Sequence, residues 1–313
     1  MRGSSGVIPI VYLCATTLLA GQVTTIQSEV ARLVSDVPAV IPESSRAAVT
    51  TRLARAREAL KDQHFYLALY DLQVVFEAEG GYRLATSERA VADHEAFTRK
   101  WTELGAPPDP PSTRASVTFI EALAQSAEGR APATYRASLP YAQDAGITAG
   151  LYYLGESHAM VRFARLCRST DARPAGRPPA LRSIEPALAT YEQEVVRAYD
   201  TAPAAKRPQY AGVNVAIKLA RTLDEQERYE GALLQYLVSR LRHAVIGDGA
   251  AASVDSLRAR VKNTSMPLGV DHSIGEFFLQ LASASLEGPD ASASHASAIL
   301  DDVLPAYFAV AGK

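Results

Sequence analysis

The sequence predicts an all-α protein built of packed antiparallel helix hairpins, with about a dozen helices. Three observations predict it. Apolar residues recur at spacings of three and four almost throughout the chain after residue 25, and strand-like alternation is scarce. Alanine and leucine outnumber the β-branched residues, which favours helix. Glycine and proline clusters then cut the periodic stretches into helix-sized pieces. With 313 residues, 48% of them hydrophobic and 21% charged, the chain can bury one large core or two smaller ones. That composition argues against disorder.

Residues 1–20 read as an export signal. Arg2 supplies a positive n-region, Val7 to Ala20 is apolar and uncharged, and the small residues Ala20 and Gly21 follow. A buried N-terminal helix is the competing reading, and Pro9 weighs against it. Cys14 does not fit a lipidation site, because Leu13 stands where a small residue is needed. Loss of the signal would leave Cys167 as the single cysteine, so a disulfide framework is excluded. Two readings of Cys167 stand: a small buried apolar residue, or an exposed one that forms an intermolecular disulfide or is a reactive thiol with a pKa lowered by Arg165 and Arg168.

The helices are expected at 26–37, 45–61, 63–79, 86–104, 112–128, 131–145, 147–168, 183–201, 208–226, 228–245, 253–263, 273–287 and 293–310. Phe65, Ala68, Leu69, Leu72 and Phe76 form one apolar stripe. Tyr229, Ala232, Leu233, Tyr236, Leu237 and Leu241 form a second, and Ile299, Leu300, Val303, Leu304, Tyr307 and Phe308 a third. Breaks are expected at Gly80-Gly81, from Gly105 to Pro111, from Gly129 to Pro132, and at Gly146. Further breaks are expected at Gly247-Asp248-Gly249, from Met266 to Gly269, and at Gly288-Pro289. Ser112, Asp271 and Ser273 are candidate N-caps.

Residues 170–181, with three prolines and a glycine, read as a linker between helical halves at 26–169 and 182–313. The halves match in order with small shifts. Glu29, Val30, Arg32 and Pro38 match Glu194, Val195, Arg197 and Pro203 at an offset of 165. Leu53, Ala54 and Arg55 match Leu219, Ala220 and Arg221 at 166. Phe65, Ala68, Leu69 and Leu72 answer to Tyr229, Ala232, Leu233 and Tyr236 at 164, and Phe119, Glu128 and Gly129 to Phe278, Glu287 and Gly288 at 159. Internal duplication is one reading and accidental similarity of Ala/Arg-rich helices the other.

Phe65-x-x-Ala68-Leu69-x-x-Leu72 and Tyr229-x-x-Ala232-Leu233-x-x-Tyr236 resemble the second helix of a tetratricopeptide repeat. Val49 to Leu60 and Val213 to Leu223 stand where the first helix would be, and Leu151 to Gly155 resembles another first helix. The resemblance covers two or three hairpins. The 34-residue period is not sustained, and the closing proline is missing. It implies stacked hairpins with a concave binding surface. An irregular α–α array meeting the same packing needs is the alternative.

Chemical motifs are sparse. His64, His94, His158, His243, His272 and His295 form no metal-ligand spacing, and HExxH and Glu-x-x-His are absent. Asp93-His94-Glu95 reads as a solvated face. The phosphate loop, the GxGxxG fingerprint, the GxSxG elbow and a haem-attachment motif are also absent, so no cofactor or metal is expected. Gly155-Glu156-Ser157 resembles the catalytic Glu-Ser of lytic transglycosylases in that dipeptide alone; the segment that follows it in that family is missing. Asp301 and Asp302 are expected to face water.

The formal net charge of −2 argues against a nucleic-acid partner. One basic run stands out, with Arg162, Arg165, Arg168, Arg173, Arg177 and Arg182 against Asp171. It reads as a solvated helix end or as a patch for an anionic surface. Arg52, Arg55, Lys218 and Arg221, on the first helices, are candidates for a groove lining. No apolar run after the signal reaches the roughly 20 residues of a transmembrane helix. The expected function is a periplasmic or secreted, non-catalytic binding or scaffolding protein with a protein or peptide partner. The alternatives are an enzyme with a site assembled from distant residues, such as a cell-wall hydrolase, and an oligomerising envelope protein. Twenty-six arginines against six lysines, with abundant alanine, point to a GC-rich bacterial genome.

Overall fold

The computed structural model describes residues 11–109, 113–170, 173–247, 252–287 and 292–312, with 11–25 as backbone alone. Residues 1–10 of the expected signal, Ser112, Asp171, Asp248-Gly249 and Gly288-Pro289 lie outside them. The protein is all-α, and its helices pack as antiparallel pairs. In chain order they are α1 (Val11–Val40), α2 (Glu43–Lys61), α3 (Phe65–Ser87), α4 (His94–Leu104), α5 (Thr118–Asp144), α6 (Ile147–Ser169) and α7 (Glu185–Thr201). A 3-10 turn (Arg207–Gln209) then leads into α8 (Tyr210–Glu225), α9 (Tyr229–Ala244), α10 (Val254–Asn263) and α11 (Ser273–Ser285). The last helix is continuous from α12 (Ala293–Ala298) through a π turn (Ile299–Val303) into α13 (Leu304–Ala311). No strand occurs among the described residues, only an isolated bridge between Arg177 and Val270.

Three hairpins, α2–α3, α5–α6 and α8–α9, stand side by side in the order α2, α3, α6, α5, α9, α8. Helix α1 packs on α2 and α3, α7 on α8, and α11 to α13 close over α3, α5 and α9. The three apolar stripes point into one core, with Phe65, Leu69, Leu233, Leu237, Val303 and Tyr307 all buried. Tyr229 and Phe308 are half-buried at its edge. Cys167 is fully buried, and burial pushes its thiol pKa up, so it packs as a small apolar residue.

Two expected breaks are absent. Gly80-Gly81 lies inside α3, where the glycines serve a close crossing instead of a turn. A Cβ on Gly155 of α6 would come within 2.5 Å of Gly80 O, and one on Gly81 within 2.7 Å of the Tyr152 ring. Without Cβ atoms the two backbones approach directly, and burial of that face outweighs the low helix propensity of glycine. Gly129 to Pro132 likewise interrupts nothing, and 118–144 is one helix. Pro132 and Pro140 are exposed, on the solvent side of α5, where a carbonyl without its helical donor can be hydrated. Gly129 gives way to α8, since a Cβ there would lie 2.8 Å from Leu223. The expected helix 86–104 is divided instead: α3 ends at Ser87, and Asp93 caps α4 by accepting the Ala96 N–H at 2.7 Å.

The hairpin turns at 62–64 and 226–228 have the same construction. His64 N–H donates to Ala59 O at 2.7 Å and Gln63 N–H to Leu60 O at 3.3 Å. Arg228 N–H donates to Leu223 O at 2.8 Å and Glu227 N–H to Asp224 O at 2.9 Å. This is the paired closure of a helix end around a left-handed residue. Gln63 and Glu227, at φ 61° and 58°, are the non-glycine residues with positive φ among those described. Every equivalence here has an offset of 164, and Val49, Leu53, Ala56, Ala68, Leu69 and Leu72 share burial with Val213, Ile217, Ala220, Ala232, Leu233 and Tyr236. The match at 166 is out of register, because Ala54 is exposed while Ala220 is buried. The match at 159 pairs Phe119, in the first turn of α5, with Phe278 in the middle of α11.

Candidate functional site

The arginines singled out in the sequence separate into two kinds. Arg168 turns inward: it is 7% exposed and holds Glu121 (4%) and Glu128 (2%). Its Nε donates to Glu121 at 3.1 Å, one terminal nitrogen donates to both carboxylates at 3.0 Å, and the other to Glu128. Arg52 and Arg55 tie α2 to α3 through the fully buried Asp71, at 2.7 and 3.2 Å. Arg221 ties α8 to α7 through Glu192 at 2.6 Å and Glu185 at 3.7 Å. These residues fasten helix pairs. Lys218 is exposed. Arg162 lies over the Phe76 ring at 5.5 Å, and Arg32 lies at the same distance from it. Arg165, Arg173, Arg177 and Arg182 are exposed, and none has an ion pair among the described residues.

The last three lie on residues 173–184, an extended strap fastened at two points. Arg177 N–H donates to Gly269 O at 3.1 Å, and Asp271 N–H donates to Arg177 O at 2.8 Å. Gly176 makes this contact possible, since a Cβ would sit 2.6 Å from the Gly269-Val270 backbone. Asp271, buried beneath, accepts from Thr118 N–H at 2.6 Å, Thr118 Oγ1 at 2.7 Å and Ser273 N–H at 3.0 Å; Ser273 Oγ accepts Phe119 N–H at 2.9 Å. The N-cap residue of α11 is His272, without a side-chain cap bond, rather than the expected Asp271 or Ser273; those two side chains instead accept the first N–H groups of α5. At the far end Asp224 accepts from Ser183 Oγ at 2.6 Å and Ile184 N–H at 2.9 Å. Pro178 and Pro179 stiffen the span between the fastenings.

That span forms one wall of a groove of about 590 Å³. Ala180, Arg182, Ser183 and Ile184 come from the strap, Pro186 and Ala187 from the start of α7. Tyr236 and Arg240 of α9 form the floor, and Ala306, Ala309 and Val310 of α13 the opposite wall. No carboxylate among the described residues lines it. Arg240 is held by Asp302, with Nε to Oδ2 at 2.9 Å and a terminal nitrogen to Oδ1. It also donates to Tyr236 Oη at 3.0 Å and lies over the Tyr191 ring at 5.0 Å. A second groove of similar size, with Glu194, Lys206, His243 and Asp302 on its walls, opens on the other side of this pair. Asp302 therefore does not simply face water as expected. The π turn carries Asp301 and Asp302 to different arginines, Asp301 to Arg260 at 2.5 Å and Asp302 to Arg240. Tyr236-x-x-x-Arg240 is an (i, i+4) pair visible in the sequence, but its partner lies 62 residues away.

Glu156 meets Glu77 and Arg130 in a cluster on α6, α3 and α5. Arg130 holds Glu77 through two bonds, at 2.5 and 3.0 Å. Burial first, and the charge of Glu77 second, push the Glu156 carboxyl up to about 7. His158 does not join it; its environment is set by burial, Gly105 and Arg162. No group of three or more His, Cys, Asp or Glu residues placed to hold a metal occurs among the described residues. Among the same residues, no helix is long and apolar enough to cross a membrane. Compared with known proteins, the chain matches no family model, no curated protein and no solved structure.

Proposed function

We infer that the protein is an exported, non-catalytic binding or scaffolding protein that receives a partner segment in the groove between the strap, α7, α9 and α13. The observation carrying this reading is the groove itself. Its walls are mostly small and aliphatic, its floor is a rigid Tyr236–Arg240–Asp302 assembly, and its strap wall is fastened at both ends. Small side chains leave room for another backbone, and a floor already locked by hydrogen bonds loses little freedom on binding. The polar cluster at Glu156 offers less: its carboxylate has a cation and a tyrosine hydroxyl near it, and it borders none of the grooves described above.

Site-specific photocrosslinking in the producing cell tests the reading. A photoreactive phenylalanine at the exposed Pro186, where α7 begins beside the groove, should trap one defined partner, and the same group at the exposed Ala54 of α2 should not. Equal labelling from both positions, or none from Pro186, refutes it. The export reading rests on the apolar segment behind Arg2, and loss of about 20 residues in the intact mass of the mature protein checks it.

A further inference from the structure

We propose that the groove selects an acidic, aliphatic peptide segment, with Arg182 as the residue that reads its carboxylate; this deepens the groove reading above and rests on it. The argument starts from charge. Among the described residues the groove walls carry two arginines and no carboxylate. Arg240 is already neutralised by Asp302, so its planar group serves as floor. Arg182 has no ion pair or side-chain hydrogen bond among the described residues, and it is exposed on the groove wall. Arg173 and Arg177, exposed and equally unpaired, continue the positive charge back along the strap. By contrast Arg52, Arg168, Arg221, Arg240 and Arg260 each hold a carboxylate. The unpaired positive charge of the strap therefore reaches the groove at Arg182, where it attracts and orients an anionic partner.

Shape narrows the class. Ala180, Ala187, Ala306 and Ala309 make the walls low, so an extended backbone can lie close, and the half-buried Val310 offers contact to an aliphatic side chain. Nucleic acid fits poorly, because Tyr236 is buried edge-on against Tyr191 and presents no stacking face. A lipid headgroup layer could meet the strap arginines but could not follow the concave floor.

Selection from a random short-peptide display library tests the proposal, using the full chain, Arg182→Glu and Ala309→Trp. Both changes are at exposed positions, so the fold is kept. Peptides held by the wild type should be enriched about threefold in Asp and Glu beside Leu, Ile or Val, the gain expected of one accessible ion pair. Arg182→Glu should reverse the preference to Lys and Arg, and Ala309→Trp should abolish capture. Aliphatic peptides without acidic enrichment, still lost in Ala309→Trp, overturn the charge reading and leave the groove standing. Capture indifferent to Ala309→Trp, or no capture, overturns both. Binding to vesicles rich in phosphatidylglycerol that needs Arg173 and Arg177 but ignores Ala309→Trp assigns the strap to a lipid surface and overturns the peptide proposal.

Discussion

Replacing Arg168 with methionine removes the single cation shared by two buried carboxylates while roughly keeping the volume of the side chain. In the intact protein the guanidinium makes four hydrogen bonds to Glu121 and Glu128. After its loss Glu121 keeps the Ala115 N–H at 2.8 Å, Gln125 at 3.2 Å and, at 4.0 Å, the exposed Arg114. Among the described residues Glu128 keeps only Arg228, at 3.7 Å. A buried pair broken from one side costs about 3–5 kcal/mol, because the remaining charge has been taken out of water without compensation. The same argument gives the compensating change. Arg168→Met combined with Glu121→Gln and Glu128→Gln removes the orphaned charges and should recover at least half of the loss. Urea unfolding followed by far-UV circular dichroism measures both, with equal slopes as the check that the same transition is being compared. A single variant within about 1 kcal/mol of wild type, the range of a surface pair, would show that the cluster is hydrated and the reasoning wrong. A triple variant no more stable than the single one would do the same.

Glu156→Gln tests the other buried carboxylate. Its pKa of about 7 lies above the unfolded value near 4.5, so the native state holds a proton that the unfolded chain releases, and stability falls as pH rises through that window. The glutamine variant should have a flatter pH profile and gain about 1–3 kcal/mol at pH 8 relative to pH 4; parallel urea midpoints for the two proteins would sink this. Gly155→Ala should lower stability by about 1–3 kcal/mol, since its Cβ would collide with Gly80 O on α3, and an unchanged thermal midpoint would mean that the crossing relaxes freely. Gln63→Gly and Glu227→Gly should each stabilise by about 0.5–1 kcal/mol by relieving left-handed backbone at the two hairpin turns. Opposite signs at the two sites would show that the turns, alike in their hydrogen bonds, differ in energy.

The all-α class and nearly all the helices were legible in the sequence, because an amphipathic stripe is a local property. Phe65-Ala68-Leu69-Leu72 and Ile299-Leu300-Val303-Leu304-Tyr307 mark their buried faces whatever lies opposite. The strap was legible for the same reason, since prolines forbid helix wherever they cluster. Other roles depended on what the fold brings alongside. Gly80-Gly81 has the composition of a break, and only the approach of Gly155 makes it the interior of a helix. Arg168 and Arg182 stand in one basic run of the sequence, yet the first meets two glutamates 40 and 47 residues away, while the second meets no acid among the described residues. Asp302 is a solvated helix residue by periodicity, and a π turn places it against Arg240. Helix formation is decided within a few turns of chain. Charge pairing, glycine crossings and the groove require contacts between residues tens of positions apart, and those distances are set only when the helices pack.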